Sequence, residues 1–295
     1  MRDVRRRGSP QIGDIKMKPI KTGRVRDIYH AADDKLVIVA SDRISAFDKV
    51  LPKTVPGKGK ALTSLSLFWF NHTKGIIPNH IISSDLKFMP SFLRKDNYEG
   101  RAMLVKKLQI LPYEFVVRGY IYGKMWDEYE ETYQFCGENF RKGYQIADKL
   151  DKPILTISTK DEDGRDEFIS MWRVADVIGL SLLGKIKDIS LALYDSCYNH
   201  ALSRGIIIAD TKLEFGLDEN GKLTLADEIF TPDSSRLWNV KDYTPGTSPK
   251  SYDKQLLRDW ITENKIGETQ YDAVPDEIYE KTSDIYQECF RKLLG

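Results

Sequence analysis

The chain has 295 residues and a formal net charge of +1, from 45 Lys and Arg residues against 44 Asp and Glu residues. Hydrophobic residues make up 41% of the chain and charged residues 30%, a composition that excludes wholesale disorder. The near-zero net charge argues against a dedicated nucleic-acid-binding protein, which usually carries a basic excess. At about 150 residues per domain, the length favours one large domain or two lobes.

Cysteine usage and the chain's N-terminal segment indicate a cytoplasmic protein. Cys136, Cys197 and Cys289 lie far apart, so neither a disulfide framework nor a structural zinc site is expected. No apolar run approaches the roughly 18 residues of a membrane span. The arginines near Met1 are not followed by an apolar core, which argues against a secretory signal. We expect residues 1–16 to be a disordered tail.

The first half of the chain is predicted to be mainly β. Strand-like runs lie at 25–29, 36–41, 101–110 and 114–122. A loop rich in Pro, Gly and Lys at 52–59 precedes a buried helix at 62–72. Residues 127–167 are polar and interrupted by glycines, with a candidate loop at 158–166 that could close over a site.

The second half adds helices around one hairpin. Helical spacing appears at 171–183, 186–202, 252–262 and 276–294. Asn220-Gly221 predicts a hairpin that joins strands 206–216 and 222–230. Strands followed by helices favour an α+β fold. We expect two lobes, a β-rich N-terminal lobe at 17–110 and a larger α+β lobe with an antiparallel sheet at 111–295.

The common signatures of nucleotide sites and hydrolases are missing from the sequence. It contains no Walker A motif, no complete dinucleotide loop, no His-Glu-x-x-His and no Gly-x-Ser-x-Gly. The four histidines are scattered, so each is interpreted as a surface or packing residue.

The hairpin carries the strongest chemical signal. Strand alternation puts Asp210, Lys212 and Glu214 on one face. A two-residue Asn220-Gly221 turn would place Glu214 directly opposite Asp227. Two facing carboxylates repel each other, and a divalent cation would turn that cost into a binding site. A solvent-exposed charged face, or a register slip of one residue, stays open as an alternative.

Two further polar clusters suit an anion. Residues 41–48 read Ser-Asp-Arg-Ile-Ser-Ala-Phe-Asp, and residues 231–236 read Thr-Pro-Asp-Ser-Ser-Arg. Arginine beside clustered hydroxyls can bind a carboxylate or a phosphate, although each segment alone could be a capped turn.

With these motifs, the chain resembles the phosphoribosylaminoimidazole-succinocarboxamide synthase (SAICAR synthetase) family. The resemblance spans about residues 20–260 and is carried by GRVRDIY at 23–29, SDRISAFD at 41–48, PGKG at 56–59, Leu62-Thr63, PYEFVVRGY at 112–120, Ser158-Thr-Lys160, IADTKLEFG at 208–216, Asp227-Glu228, TPDSSRLW at 231–238 and Ser251-Tyr-Asp-Lys254. The blocks at 208–216 and 231–238 are together highly specific.

The resemblance implies an ATP- and Mg²⁺-dependent ligase that joins carboxyaminoimidazole ribonucleotide to L-aspartate. It implies two lobes, with ATP under a kinase-like β-rich lobe. The implied nucleotide and metal residues are Arg24, Arg26, Ile28, Lys106, Lys160, Glu214 and Asp227, the last two also binding the metal. The implied substrate contacts are Ser45, Arg118, Lys124, Asp210, Lys212, Ser234, Ser235, Arg236, Lys254 and Arg258. Among them Asp210, Lys212 and Arg236 are expected to be catalytic.

Three positions depart from the family pattern. Arg24 stands where Lys is common, Lys124 where Ser is frequent, and Arg165 where a His precedes Asp166. Arg24 keeps the charge but not the shape of Lys. Lys124 could hold a ribonucleotide phosphate as an ammonium group.

Two other function classes stay open on the residues alone. A small-molecule kinase would also use Asp210 and Lys212 but would not require the Ser-Ser-Arg loop. A nucleotide-binding regulatory module would tolerate loss of Glu214 or Asp227. The expected partners are small molecules, without nucleic acid or membrane. A homo-oligomer is compatible with the sequence, which does not give the oligomeric state.

Overall fold

The structure is a computed structural model that describes residues 18–47, 49–160 and 167–295. The predicted tail, Asp48, Arg165 and Asp166 lie outside the described residues.

The N-terminal part is built on a five-stranded antiparallel sheet with the order β1-β2-β3-β7-β6. Its elements are β1 (Lys21–Thr22), β2 (Arg26–Ala32), β3 (Lys35–Ala40), β4 (Arg43–Ala46), β5 (Lys49–Thr54), α1 (Lys58–His72), β6 (Ile81–Ser83) and β7 (Ala102–Lys106). β4 and β5 form a separate hairpin beside this sheet.

The C-terminal part is built on a second antiparallel sheet of seven strands. Its elements are β8 (Gln109–Ile110), β9 (Tyr113–Tyr120), α2 (Lys124–Thr132), β10 (Gln134–Phe135), β11 (Glu138–Asn139), β12 (Lys149–Thr159), β13 (Phe168–Ile169), α3 (Met171–Ile178), α4 (Leu180–Ser203), β14 (Ile206–Leu217), β15 (Leu223–Ala226), β16 (Ser235–Asn239), α5 (Gln255–Glu263) and α6 (Asp276–Leu294). The fold is therefore α+β and two-lobed, as the element order predicts.

β14 is the central strand, and its alternation separates the core from the site. It pairs with β8, β9, β15 and β16. On one face Leu213 and Phe215 are fully buried, and the Phe215 ring lies 5.5 Å from that of Phe115 on β9. This face belongs to the main core, which α4 completes with Ile186 and Leu193. The opposite face is left for charged residues.

The register of the β14–β15 hairpin differs by one residue from the register that a two-residue turn at Asn220-Gly221 would give. Leu217 pairs with Leu223, so Glu214 lies opposite Ala226 and not opposite Asp227. Gly221 has a φ of +73° and completes a three-residue loop, a geometry in which glycine is favoured. The Asp218 side chain accepts hydrogen bonds from the backbone N–H groups of Asn220 and Lys222, both at 2.9 Å, which stabilises the longer loop.

The predicted loop at 52–59 was wrong at both ends. β5 extends to Thr54, and α1 begins at Lys58. The Asp42 carboxylate accepts hydrogen bonds from the backbone N–H groups of Gly57 (3.3 Å) and Gly59 (2.8 Å). The first helical turn is thus capped by a residue distant in sequence, which local patterns do not reveal.

Other boundaries also differ. The predicted strand at 101–110 is divided into β7 and β8, which belong to different sheets. The break between α3 and α4 falls at Gly179, with a φ of +86°, and not after residue 183. The predicted strand at 222–230 ends at Ala226, because Asp227 has a φ of +60°. The polar stretch 127–167 contains α2 and the eleven-residue β12, whose register shift between Lys149 and Ile154 accommodates Pro153.

Across the described residues no helix is long and apolar enough to cross a membrane. All three cysteines are free thiols, as their spacing predicts.

Candidate active site

Two adjoining cavities lie beside the polar face of β14. The strand cavity, of about 320 Å³, is lined mainly by β2 and the residues before it. The arginine cavity, of about 310 Å³, is lined mainly by β9, β14 and residues 232–236. Four residues line both cavities: Lys212, Asp233, Lys254 and Arg258.

Lys212 is the centre of the charged face of β14. Its ammonium group lies 2.8 Å from Glu114 Oε1, 2.8 Å from Glu214 Oε1 and 3.8 Å from Asp227 Oδ2. Burial lowers the pKa of a lysine, but the carboxylates of Glu214, Asp227 and Glu114 outweigh burial and raise the pKa of Lys212. Lys212 therefore carries its charge at neutral pH, and the predicted common face of this strand is confirmed.

Glu214 and Asp227 both contact the ammonium group of Lys212. Glu214 also pairs with Lys160. Within the described residues, the ion pairs of the Asp227 side chain are long, 3.6 Å to Arg26 Nη1 and 3.8 Å to Lys212 Nζ. Burial would raise the pKa of Asp227, but Arg26 and Lys212 outweigh it and lower that pKa. Both carboxylates thus reach one cluster although they are not cross-strand partners.

Arg26 is held by acidic residues from the other sheet. Its guanidinium pairs with Glu228 and with Asp227. Burial opposes the charge, but Glu228 and Asp227 outweigh it and raise the Arg26 pKa. Glu228 also accepts a hydrogen bond of 2.5 Å from Thr231 Oγ1. The ion pair between Glu228 and Arg26 was not predicted. The only sequence signal for Glu228 was its position next to Asp227.

His80 lies against Asp227. Burial lowers the pKa of His80 to about 4, although Asp227 acts in the opposite direction. A neutral imidazole is therefore expected at neutral pH, in agreement with a packing role.

The arginine cavity is formed around Asp210. Its carboxylate pairs with Arg118 at 3.2 Å and with Arg236. Burial lowers the pKa of Arg118, whereas Asp210 raises the pKa of Arg236. One carboxylate faces two guanidinium groups, and Asp253, which lines the same cavity, also acts electrostatically on Arg236.

An aromatic ring, a lysine and a glycine lie next to the arginines of this cavity without being among its lining residues. The Arg118 guanidinium lies 5.6 Å from the Phe168 ring, and Lys124 Nζ lies 5.6 Å from the same ring. Gly123 leaves room for Arg236, because a Cβ there would lie 2.8 Å from the Arg236 Nη2 atom.

Residues 231–236 form a tightly bonded turn. Ser234 Oγ accepts a hydrogen bond from the Thr231 N–H at 3.1 Å, and Ser235 Oγ donates to Thr211 Oγ1 at 2.8 Å. Both serines still line the arginine cavity. Each hydroxyl can therefore form the turn and also face a ligand.

Lys254 and Arg258 have unused hydrogen-bonding capacity between the cavities. The Lys254 ammonium makes a 3.5 Å contact with Ser45 Oγ. Burial lowers the pKa of Lys254, while Asp233 acts in the opposite direction. Arg258 Nε is buried without a hydrogen-bond partner in the described part of the chain. Such groups favour an anionic ligand.

Two polar side chains of the segment 41–47, Ser41 and Arg43, are bonded within the fold. Arg43 forms a bidentate pair with Asp27 at 2.8 and 3.0 Å and donates to the backbone carbonyls of Gly23 and Arg24. Ser41 Oγ donates to the Val25 carbonyl at 2.8 Å. These contacts fix the turn that borders the strand cavity.

The other predicted residues fall into two groups. Arg24, Ile28 and Ser45 line the strand cavity. Lys106, Lys124, Lys160 and Glu214 line neither cavity, although Glu214 pairs with Lys212, which lines both. The backbone N–H of Lys106 donates to the His80 carbonyl at 2.8 Å.

Comparison with known proteins identifies the family of this chain. The family model described as SAICAR synthetase matches residues 19–275. A phosphoribosylaminoimidazole-succinocarboxamide synthase from Lachnospira eligens is 48% identical over 288 residues, covering 95% of this chain and 96% of that protein.

Two solved structures are similar along almost the whole chain. SAICAR synthase from Saccharomyces cerevisiae complexed with SAICAR is 38% identical, with a TM-score of 0.87 and coverage of 97% of both chains. A type-2 SAICAR synthetase in complex with ADP is 25% identical, with a TM-score of 0.69 and coverage of 93% of this chain and 97% of that chain. The chain therefore belongs to the SAICAR synthetase family, the ATP-dependent ligases that join carboxyaminoimidazole ribonucleotide to L-aspartate in purine biosynthesis.

Proposed function

We propose that ATP binds in the strand cavity and the carboxylated ribonucleotide in the arginine cavity, with their reacting groups meeting at Lys212, Lys254 and Arg258. The observation that carries this assignment is the shared wall, because these three cations line both cavities. A phosphoryl group passing between two anionic substrates needs positive charge at this junction.

The strand cavity suits a nucleotide by its two kinds of lining. Ile28 and Ile38 provide apolar surface for a base, and Arg24 provides charge near the phosphates. Lys160, paired with Glu214, supplies a second cation beside the carboxylates. Residues 106–112 connect the two sheets and would pass the adenine with their backbone.

Glu214 and Asp227 fit a magnesium ion bound together with ATP. Mg²⁺ commonly takes one or two carboxylates and completes its shell with phosphate oxygens and water. Asp227 has only long ion pairs, and the described residues contain no cluster of three or more His, Cys, Asp or Glu side chains that could form an all-protein cage. When bound, the ion would neutralise phosphate charge at this junction.

The arginine cavity suits the ribonucleotide. Arg118, Arg236, Ser234 and Ser235 supply hydrogen-bond donors around the cavity. Lys124, beside the ring that Arg118 also contacts, would take the ribonucleotide phosphate at the cavity's end. Lys254, Arg258 and Ser45 would hold a carboxylate of L-aspartate.

The reaction then needs positioning and charge stabilisation by the protein. The imidazole carboxylate attacks the γ-phosphorus of ATP, and ADP leaves. The aspartate amine attacks the resulting acyl phosphate, inorganic phosphate leaves, and the amine loses a proton. Lys212, fixed by three carboxylates, would stabilise the transferring phosphoryl group without acting as a nucleophile.

Phosphate release tests this assignment. The purified chain is mixed with ATP and Mg²⁺, then with the ribonucleotide, L-aspartate or both. We expect phosphate in equal amount to amide product only when both are present. Phosphoryl transfer to one acceptor, without amide formation, would instead indicate a small-molecule kinase.

A matched pair of variants tests whether the ribonucleotide and ATP bind in different cavities. Asp210→Asn, between two arginines of the arginine cavity, should raise the KM of the ribonucleotide more than that of ATP. Asp151→Asn alters an exposed partner of Arg141 and should change neither. An equal rise in both KM values for Asp210→Asn would contradict the division of the two sites.

A further inference from the structure

Asp233 lines both cavities, and both oxygens of its carboxylate are bonded to residues that line neither. Its Oδ2 atom lies 2.5 Å from Lys58 Nζ, and its Oδ1 atom accepts a 2.6 Å hydrogen bond from the Tyr286 hydroxyl. The Lys58 side chain is 0% exposed and that of Asp233 is 6% exposed. Both partners come from helices outside the cavity walls, α1 and α6.

The two partners are held in fixed relation to each other. α6 packs on the residues before α1, where Ser283 Oγ donates to the Pro56 carbonyl at 2.8 Å and Gln287 Nε2 donates to the Gly57 carbonyl at 3.3 Å. Asp42 caps the same turn from the other side. Lys58 is therefore placed before any substrate arrives.

An uncompensated carboxylate at this junction would harm binding in two ways. It would repel the anionic substrates, and it would attract the nearby Lys254, with which Asp233 interacts electrostatically. Burial would raise the pKa of Asp233, but Lys58 and then Lys254 outweigh it and lower that pKa, so the carboxylate is charged.

We propose that Lys58 and Tyr286 are positioning residues that neutralise and orient Asp233, and thereby leave Lys254 free to bind a substrate anion. The network also anchors residues 231–236, since Asp233 lies two residues before Ser235 and three before Arg236. This inference rests on the proposed function, because that function makes Lys254 a substrate contact.

A set of variants tests the proposal by steady-state kinetics. Lys254→Met first identifies which substrate's KM depends on Lys254. Lys58→Met should raise the same KM about tenfold or more, because Asp233 then keeps an unpaired buried charge. Lys58→Met/Asp233→Asn, which restores a neutral pair, should bring that KM back to within about threefold of the wild-type value. Tyr286→Phe should raise it by about threefold.

Lys53→Met is the matched control. Lys53 pairs with Asp276 at the start of α6 at 2.6 Å, but both side chains are exposed and lie outside the cavity linings. Its kinetics should match those of the wild-type chain.

Several results would overturn the proposal. One is a lower melting temperature of Lys58→Met with unchanged KM values, which would make the network structural only. Another is a double variant as impaired as Lys58→Met. If Lys58→Met does not fold, the double variant and Tyr286→Phe decide, and wild-type KM values for Tyr286→Phe would count against the proposal. If Lys254→Met leaves every KM unchanged, Lys254 is not a substrate contact, and both that part of the proposed function and this inference fail. If Lys254→Met raises a KM that Lys58→Met leaves unchanged, this inference alone is overturned.

Discussion

At the scale of single residues, the site is an arrangement of charges that compensate one another. Lys212 joins Glu114, Glu214 and Asp227, while Asp210 lies between Arg118 and Arg236. Each charge is stabilised by a neighbour, and all of them except Glu214 line a cavity. Substitutions should therefore affect both ligand binding and stability, in proportions that the contacts predict.

Arg236→Lys should separate binding from stability. Lysine keeps the positive charge beside Asp210 but loses the planar fork that binds a carboxylate or phosphate with two hydrogen bonds. We expect kcat/KM for the ribonucleotide to fall roughly 10- to 100-fold, from the loss of about 1.5 to 3 kcal/mol. The melting temperature should change little. Arg141→Lys, which alters an exposed ion pair with Asp151, is the control. A large loss of stability with full activity in Arg236→Lys would contradict a ligand role for Arg236.

Glu214→Gln should weaken the use of MgATP and also destabilise the free protein. If Glu214 lay directly opposite Asp227, the substitution would relieve repulsion between the two carboxylates and stabilise the protein. In the structure, however, Glu214 is paired with Lys212 and Lys160. Removing its charge should lower the free energy of unfolding by about 1 to 2 kcal/mol, allowing for partial exposure of both lysines. Urea unfolding of this variant beside Glu219→Gln, in the exposed hairpin loop, measures the difference. A more stable Glu214→Gln would show that repulsion dominates.

Asp233 should make the protein's stability depend on acid. Because its pKa is lowered in the folded state, its charge stabilises the fold above the unfolded pKa of about 3.9. This contribution should be lost as the pH falls through the folded pKa. The difference in unfolding free energy between the wild-type chain and Asp233→Asn should therefore be largest near neutral pH and shrink below about pH 4. A difference that grows on acidification would have the wrong sign.

At the scale of elements, the chemistry depends on segments held by distant residues. The turn at 23–27 is fixed by Arg43 of β4, and the start of α1 is capped by Asp42 just before that strand. The segment that looked like an anion-binding motif is largely a clamp on its neighbours. Its effect on catalysis should be indirect, through the shape of the strand cavity.

Arg43→Lys should loosen the turn beside the nucleotide. A lysine can pair with Asp27 but cannot also donate to the backbone carbonyls of Gly23 and Arg24. Losing two hydrogen bonds of about 1 kcal/mol each should raise the KM of ATP by up to about 30-fold. The KM of the ribonucleotide should change less. Arg94→Lys is the control, because it alters a similar bond to the Met89 carbonyl away from the cavities and should leave both KM values near wild type. Wild-type KM values for Arg43→Lys would contradict a role of Arg43 in shaping the strand cavity.

At the scale of the whole molecule, local patterns predicted the fold class and most elements. Helix α6 matches the predicted 276–294, and the common face of Asp210, Lys212 and Glu214 follows from strand alternation. The site residues on this face could be found because their spacing is strictly local.

The remaining features depend on contacts that no short segment contains. The hairpin register turned on the Asp218 side chain, and the start of α1 on Asp42. The pairing of Lys58 with Asp233 spans 175 residues along the chain. Its only sequence signal was a Pro-Gly-Lys-Gly motif, which gives no partner.

The most direct test of the account is a crystal structure with Mg²⁺, a non-hydrolysable ATP analogue and the carboxylated ribonucleotide. The account predicts the γ-phosphate and the imidazole carboxylate in contact beside Lys212, with the ion on Asp227 and Glu214. Lys254 and Arg258 should lie next to this junction, as in the wall that the two cavities share. Phosphates directed away from the arginine cavity, or a ribonucleotide bound outside it, would contradict the account.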